Sequence, residues 1–314
     1  MAASRPLTLT LAGALLGGLL GPSPRVALAH DSPEHVVEDL TATMAREGRS
    51  ATLLYRRAGE FRALGKLDRA AADLGIALEM DPGFVAARVE LARIRLSQGG
   101  SAEALRLIDR AIEQVPKDAG RAPLYMVRSD VQLAAGDPGR ALADCERAFM
   151  HDAVEVDWYL RRSRLEEKLG LPERRADGLR AGFERTGSVV LKIEWIEAMI
   201  DAGRAPQALV PIEEEMADGR WRASWLIRRA RARQVLGRHG LADDDLRAAI
   251  AEIDGRISTG RPDASLLADR GLARGLLGDR AAALADLTAA RAQRADPWML
   301  ARLEALLTSR PDPR

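Results

Sequence analysis

Ala63-Leu64-Gly65-Lys66-Leu67-Asp68-Arg69-Ala70 recurs along the chain, as Ala134-Ala135-Gly136-Asp137-Pro138-Gly139-Arg140-Ala141 and again as Leu276-Leu277-Gly278-Asp279-Arg280-Ala281-Ala282-Ala283. The shared element is a glycine followed five residues later by an alanine. Glycines in this setting fall at Gly65, Gly99, Gly136, Gly170, Gly203, Gly237 and Gly278, spaced by 34, 37, 34, 33, 34 and 41 residues. Five residues beyond them stand Ala70, Ala104, Ala141, Arg175, Ala208, Ala242 and Ala283. A second small residue lies seven positions before each glycine, at Ala58, Ala92, Ser129, Ser163, Ala230 and Gly271, with Ile196 the exception. A repeat of this length accommodates two helices of about a dozen residues, the glycine supplying the positive φ that ends the first. The two small positions then let the helix axes approach, and a large residue there would cost about 1 to 3 kcal/mol.

Composition agrees with helices. Aromatic residues make up 4% of the 314, apolar residues 47%, and alanine, leucine and arginine dominate, which favours closely packed helices over a sandwich of β-branched and aromatic residues. Cys145 is the single cysteine, so an internal disulfide framework and a multi-cysteine zinc site are both excluded. Whatever stabilises the fold is packing.

The amino terminus reads as an export signal. Met1 to Pro6 carries one positive charge, Leu7 to Gly21 is a weakly polar to apolar run, and Ala27-Leu28-Ala29 supplies small residues for cleavage before His30. The run is about 15 residues and broken by glycines, short of the roughly 20 that span a bilayer. Residues 1 to 29 hold Arg5 and Arg25 and no acid, so the remaining chain carries 45 basic against 46 acidic groups. A nearly neutral body has no global pull toward nucleic acid or an anionic membrane. The expected location is the periplasm or the cell exterior.

On these repeats the chain resembles the tetratricopeptide repeat family, over about residues 50 to 296. Asp81-Pro82 and Val115-Pro116 supply a proline at the hairpin boundary, and each second helix carries an apolar residue then a small one: Leu74 and Ala77, Ile108 and Ala111, Cys145 and Ala148, Leu246 and Ala249, Leu287 and Ala290. The resemblance implies an all-α, right-handed α-solenoid of about seven hairpins. Residues 30–49 are expected to cap one end, with Ser32-Pro33 starting a helix and Gly48 ending it; residues 297–314 cap the other, through Trp298, Leu300, Leu303, Leu306 and Leu307. Asp254 to Asp263, with Gly255, Gly260 and Pro262, reads as the longest loop. Repeats four and five depart most: Arg175 replaces the packing alanine, Gly182 and Glu215 take the second small position, and Pro211 falls inside a helix.

No catalytic constellation emerges. His30, His35, His151 and His239 form no metal-ligand spacing, and neither a nucleophile elbow nor a phosphate loop is present. After cleavage His30 would present its amino group and imidazole, with His35 as a third ligand for copper, a remote alternative. Asp243-Asp244-Asp245 sits within a helix and lacks the glycine of a calcium loop. Cys145 matches Leu74 and Ile108 in phase and reads as a buried hydrophobe. No cofactor is expected.

In the resembled family the first helices of successive hairpins line a concave groove that takes peptides. Carried over by position, one inner row is Gly59, Arg93, Asp130, Arg164, Glu197, Arg231 and Leu272, flanked by Tyr55, Arg62, Val89, Met126, Leu160, Arg161, Ile193, Ile227 and Arg228. The family's clamp for a terminal carboxylate uses asparagine, and this chain has none. The row better suits an extended segment or helix of mixed charge. The expectation is therefore a non-enzymatic scaffold for a protein or peptide; the alternative is an accessory subunit of cell-wall or polysaccharide assembly.

Overall fold

The seven repeat glycines end seven helices, as their spacing predicts. All have positive φ, from 67° to 90°, which costs glycine little. At each one the amide of the next residue donates to the carbonyl four residues before the glycine, as Lys66 does to Phe61 at 2.8 Å and Asp279 to Arg274 at 2.9 Å. That closure returns the chain directly into a second helix.

The computed structural model describes residues 32–116, 120–150, 155–219, 221–260 and 263–309, which contain sixteen helices and no strand. The expected export segment 1–29, its cleavage point, His30 and His151 lie outside the described residues. Two compact units divide after Pro82. The first holds α1 (Pro33–Glu47), α2 (Ala51–Ala63) and α3 (Leu67–Met80). Helix α1 starts as expected, with the Ser32 hydroxyl accepting from His35 N at 3.4 Å and Pro33 at its first position, and stops at Gly48. It packs on α2, which pairs with α3 around Met44, Leu54 and Ala77.

The second unit contains α4 (Val85–Ser97), α5 (Ser101–Gln114), α6 (Ala122–Ala134), α7 (Pro138–Phe149), α8 (Val156–Lys168), α9 (Pro172–Thr186), α10 (Val189–Asp201), α11 (Ala205–Asp218), α12 (Ala223–Val235), α13 (His239–Thr259), α14 (Ala264–Leu276), α15 (Arg280–Ala292) and α16 (Pro297–Thr308). Its helices pack chiefly on their neighbours in sequence, hairpin after hairpin, with α16 covering α14. Leu300 and Leu303 of α16 are buried as expected, whereas Trp298 is 73% exposed.

The small-residue contacts explain the hairpins. Ala58 and Ala70, Ala92 and Ala104, and Ala230 and Ala242 are all fully buried. In the third hairpin the Ser129 hydroxyl donates to Ala141 O at 2.7 Å, so a polar group is accommodated at no loss of packing. A Cβ at Gly271 would stand 2.7 Å from Leu303 Cδ2 and 3.1 Å from Asp286 Cβ, so α14 needs glycine there.

Repeats four and five differ in a specific way. Helix α9 packs more extensively on α10 than on α8, and α10 packs less on α11 than any other first helix does on its second. Ile196, fully buried, occupies the crossing position that is small elsewhere. Arg175, in place of alanine, is 5% exposed and reaches Ser163 Oγ and Asp201 Oδ2, each at 3.1 Å, and Glu194 Oε2 at 3.4 Å. Ion pairs thus join α9 to α10 where small residues join helices elsewhere. The loop expected over Asp254 to Asp263 is mostly helical instead, since α13 runs to Thr259. Fully buried Ile253 and partly buried Ile257 pack on the cores below and hold the added turns.

Candidate partner-binding face

Charge placement on the first helices begins with a motif the sequence reading missed. Eight residues before the repeat glycines stand Arg57, Leu91, Arg128, Arg162, Trp195, Arg229 and Arg270; eight after stand Asp73, Leu107, Asp144, Gly178, Pro211, Asp245 and Asp286. Arginine faces aspartate in four hairpins, and each pair is bidentate, with Nε and Nη2 donating to the two carboxylate oxygens at 2.6 to 3.1 Å. These bonds hold the four guanidinium groups above their ordinary pKa. The aspartates are buried, so each pair is a desolvated clamp between the helices of one hairpin. Where aspartate is lost the clamp goes with it: both positions are leucine in the second hairpin, and in the fourth Arg162 is kept but lies over Gly178 and the Phe149 ring, its Cζ 4.6 Å from the ring centroid. The signal that could have found this was the joint alternation of two columns sixteen residues apart.

The clamps consume the arginines that face the second helices, and the inner row is what remains. Tyr55 is half-buried and Arg62 exposed on α2 of the first unit. In the second unit Arg93 is 58% exposed, 3.5 Å from Glu90 on its own helix. Arg161 bridges Asp157, at 2.6 Å, and Asp130, joining α8 to α6. Arg164 is exposed and makes no ion pair among the described residues. Val89, Leu160 and Ile193 are partly buried, and Met126 and Ile227 are buried.

Glu197, Arg228 and Arg231 are brought together, and largely satisfied by one another. Glu197 is 3% exposed and takes Arg231, Arg228 Nε at 3.0 Å and Arg302 Nη1 at 3.2 Å. The Arg228 contact is close but off the hydrogen-bonding direction, leaving that buried N–H without an acceptor. Arg231 also donates to Asp201 at 2.9 Å, where Arg175 arrives from α9. Burial lowers the pKa of Arg228 and that of Arg231, the latter to about 10 with Arg302 and Arg175 adding like charge. This network ties α9, α10, α12 and α16. Of the residues expected on the partner face, Arg93 and Arg164 are the most accessible in this unit.

Chemistry elsewhere is limited. Cys145 is fully buried, and burial pushes its thiol up to about 12, so no thiolate is available near neutrality. Among the described residues no group of three or more His, Cys, Asp or Glu could hold a metal ion, and no helix is long and apolar enough to cross a membrane. A cavity of about 370 Å³ between α5 and α7 is lined by Arg128, Arg140, Arg147, Asp109 and Asp144, whose charges already pair.

Residues 61–122 match the tetratricopeptide repeat family model. In fold the chain is similar to a tetratricopeptide repeat protein from Parabacteroides merdae ATCC 43184, at 17% identity over 82% of this chain and 99% of that one, with a TM-score of 0.55. It is also similar to a thermophilic tetratricopeptide protein of Thermus thermophilus (15% identity, 54% and 91% coverage, TM-score 0.44) and to YrrB, described as having an unusual peptide-binding site (15%, 69% and 93%, TM-score 0.41). No curated protein matches the sequence. The fold is that of tetratricopeptide repeat proteins, and the family's own sequence pattern is matched within residues 61–122.

Proposed function

We propose that the chain is an exported, non-enzymatic scaffold that holds a protein or peptide along the first helices of its hairpins. The observation that carries this is the state of the inner row at α8: Arg164 is exposed without an ion pair among the described residues, beside partly buried Leu160. A cation left unmatched next to partly covered apolar surface suits a segment offering both an acid and an aliphatic side chain. Glycan recognition by tryptophan stacking is less well served. Trp158 and Trp225 are buried, and exposed Trp298 sits on α16 outside the row.

The test is recovery of envelope proteins on the tagged, processed chain and on Arg164→Glu. A scaffold using this row retains a defined protein that the variant loses by about tenfold, while both keep the same helical circular dichroism. Equal recovery on both would exclude the row as the binding face. Export is tested separately by amino-terminal sequencing from a bacterial host, which should begin at His30; a retained Met1 would defeat it.

A further inference from the structure

Along the inner row of the second unit, α10 and α14 carry four acids: Glu194, Glu197, Asp201 and Asp269. Arg175 reaches Glu194 at 3.4 Å and Asp201 at 3.1 Å, and three guanidinium groups converge on Glu197. Asp269 differs, for among the described residues it makes no hydrogen bond and no ion pair. It stands nine residues before Gly278, the register that Arg228 holds on α12 before Gly237 and Glu194 on α10 before Gly203. Arg228, its neighbour in the row, is turned elsewhere: Nη1 donates to Ser224 O at 2.9 Å and Nε lies against Glu197.

Asp269 is half-buried. Surrounding protein strips water from its carboxyl and pushes its pKa up, Asp263 adding to that and Arg228 opposing it. A partly desolvated carboxylate with no donor gains from a ligand that brings both positive charge and N–H groups.

We propose that Asp269 is the anchor for a lysine or arginine side chain of the segment held on the inner row. The proposal rests on the reading of that row as the binding face, and it makes the bound segment bipolar: an acid toward Arg164 on α8 and a base toward Asp269 on α14.

The probe is N-acetyl-arginine amide, with the uncharged N-acetyl-citrulline amide as its isostere, titrated into the full processed chain while the Asp269 side-chain carboxyl carbon is followed by NMR. The arginine compound should give a saturable shift at least about tenfold tighter than citrulline, lost in Asp269→Asn and retained in Asp269→Glu. Melting temperature and circular dichroism establish that the variants are folded. Equal titration by the two compounds, or unchanged arginine binding to Asp269→Asn, would overturn the proposal. The protein recovered in the Arg164→Glu experiment separates the two readings. If it dissociates from Arg164→Glu but stays on Asp269→Asn at wild-type affinity, the face stands and the anchor falls; if it leaves neither variant, the face itself is wrong.

Discussion

Asp144 shows what a single residue does in this fold. It is fully buried, receives Arg128 through two bonds of 2.7 Å and takes Arg147 at 2.9 Å. Removing one partner of such a pair strands the other, so Asp144→Ala should cost about 3 kcal/mol or more in urea denaturation. The second hairpin carries Leu91 and Leu107 at the same two places. Replacing Arg128 and Asp144 together by leucine should therefore leave stability within about 1 kcal/mol of the parent; a double variant as damaged as the single one would refute the clamp. Glycine can matter as much: a Cβ at Gly182 would stand 2.6 Å from Tyr159 Cδ1 and 3.0 Å from Leu191 Cδ1. Gly182→Ala gains about 1 kcal/mol of helix propensity but should lose about 1 to 3 kcal/mol to overlap, a net fall in melting temperature. Glu166 supplies a pH test. Burial raises its carboxyl pKa, more than Arg162 and Arg174 lower it. A carboxyl raised in the folded state prefers to be neutral, so ionising it costs stability progressively as pH climbs from the unfolded carboxylate range through the folded value. Glu166→Gln should match the parent in acid and melt higher at neutral pH; a lower neutral melting temperature would mean that the arginines outweigh burial.

At the scale of the helix, the joint around α10 and α11 is where regular packing gives way. Ile196 fills the crossing position, Trp195 and Pro211 replace the clamp pair, and α11 lacks the backbone donor that Pro211 removes. Hydrogen exchange should be faster in α11 than in α13 by about tenfold or more, because fewer buried contacts protect it. Uniform protection across the second unit would remove that distinction. The loss of the packing alanine at Arg175 was legible in the sequence because the six other repeats keep alanine there, and Pro211 because a proline inside an expected helix removes a backbone donor. That Arg175 would become a buried junction to Glu194 and Asp201 was not legible, because those acids lie on the next hairpin and only the packing brings them within reach. The extension of α13 was missed for a related reason: Gly255 reads locally as a breaker, while the burial of Ile253 that overrides it depends on other helices.

At the scale of the chain, glycine and alanine periodicity settled the number of hairpins and their fold class, since every repeat glycine adopts the positive φ its spacing required. The division after Pro82 was not foreseen, as the repeat runs through it in phase. The inner row was located by position alone, and position could not tell that Glu197, Arg228 and Arg231 spend their charges on one another while Arg164 does not. Sequence periodicity reports which face a residue occupies; it does not report which neighbour has already claimed its charge. The most direct measurement of the binding face is hydrogen exchange of the processed chain with and without the protein it retains. Protection confined to α8, α12 and α14, with α5, α7, α13 and α15 unchanged, is the result expected of a scaffold that binds along its first helices. Protection falling instead on those second helices, with α8, α12 and α14 unaffected, would contradict it.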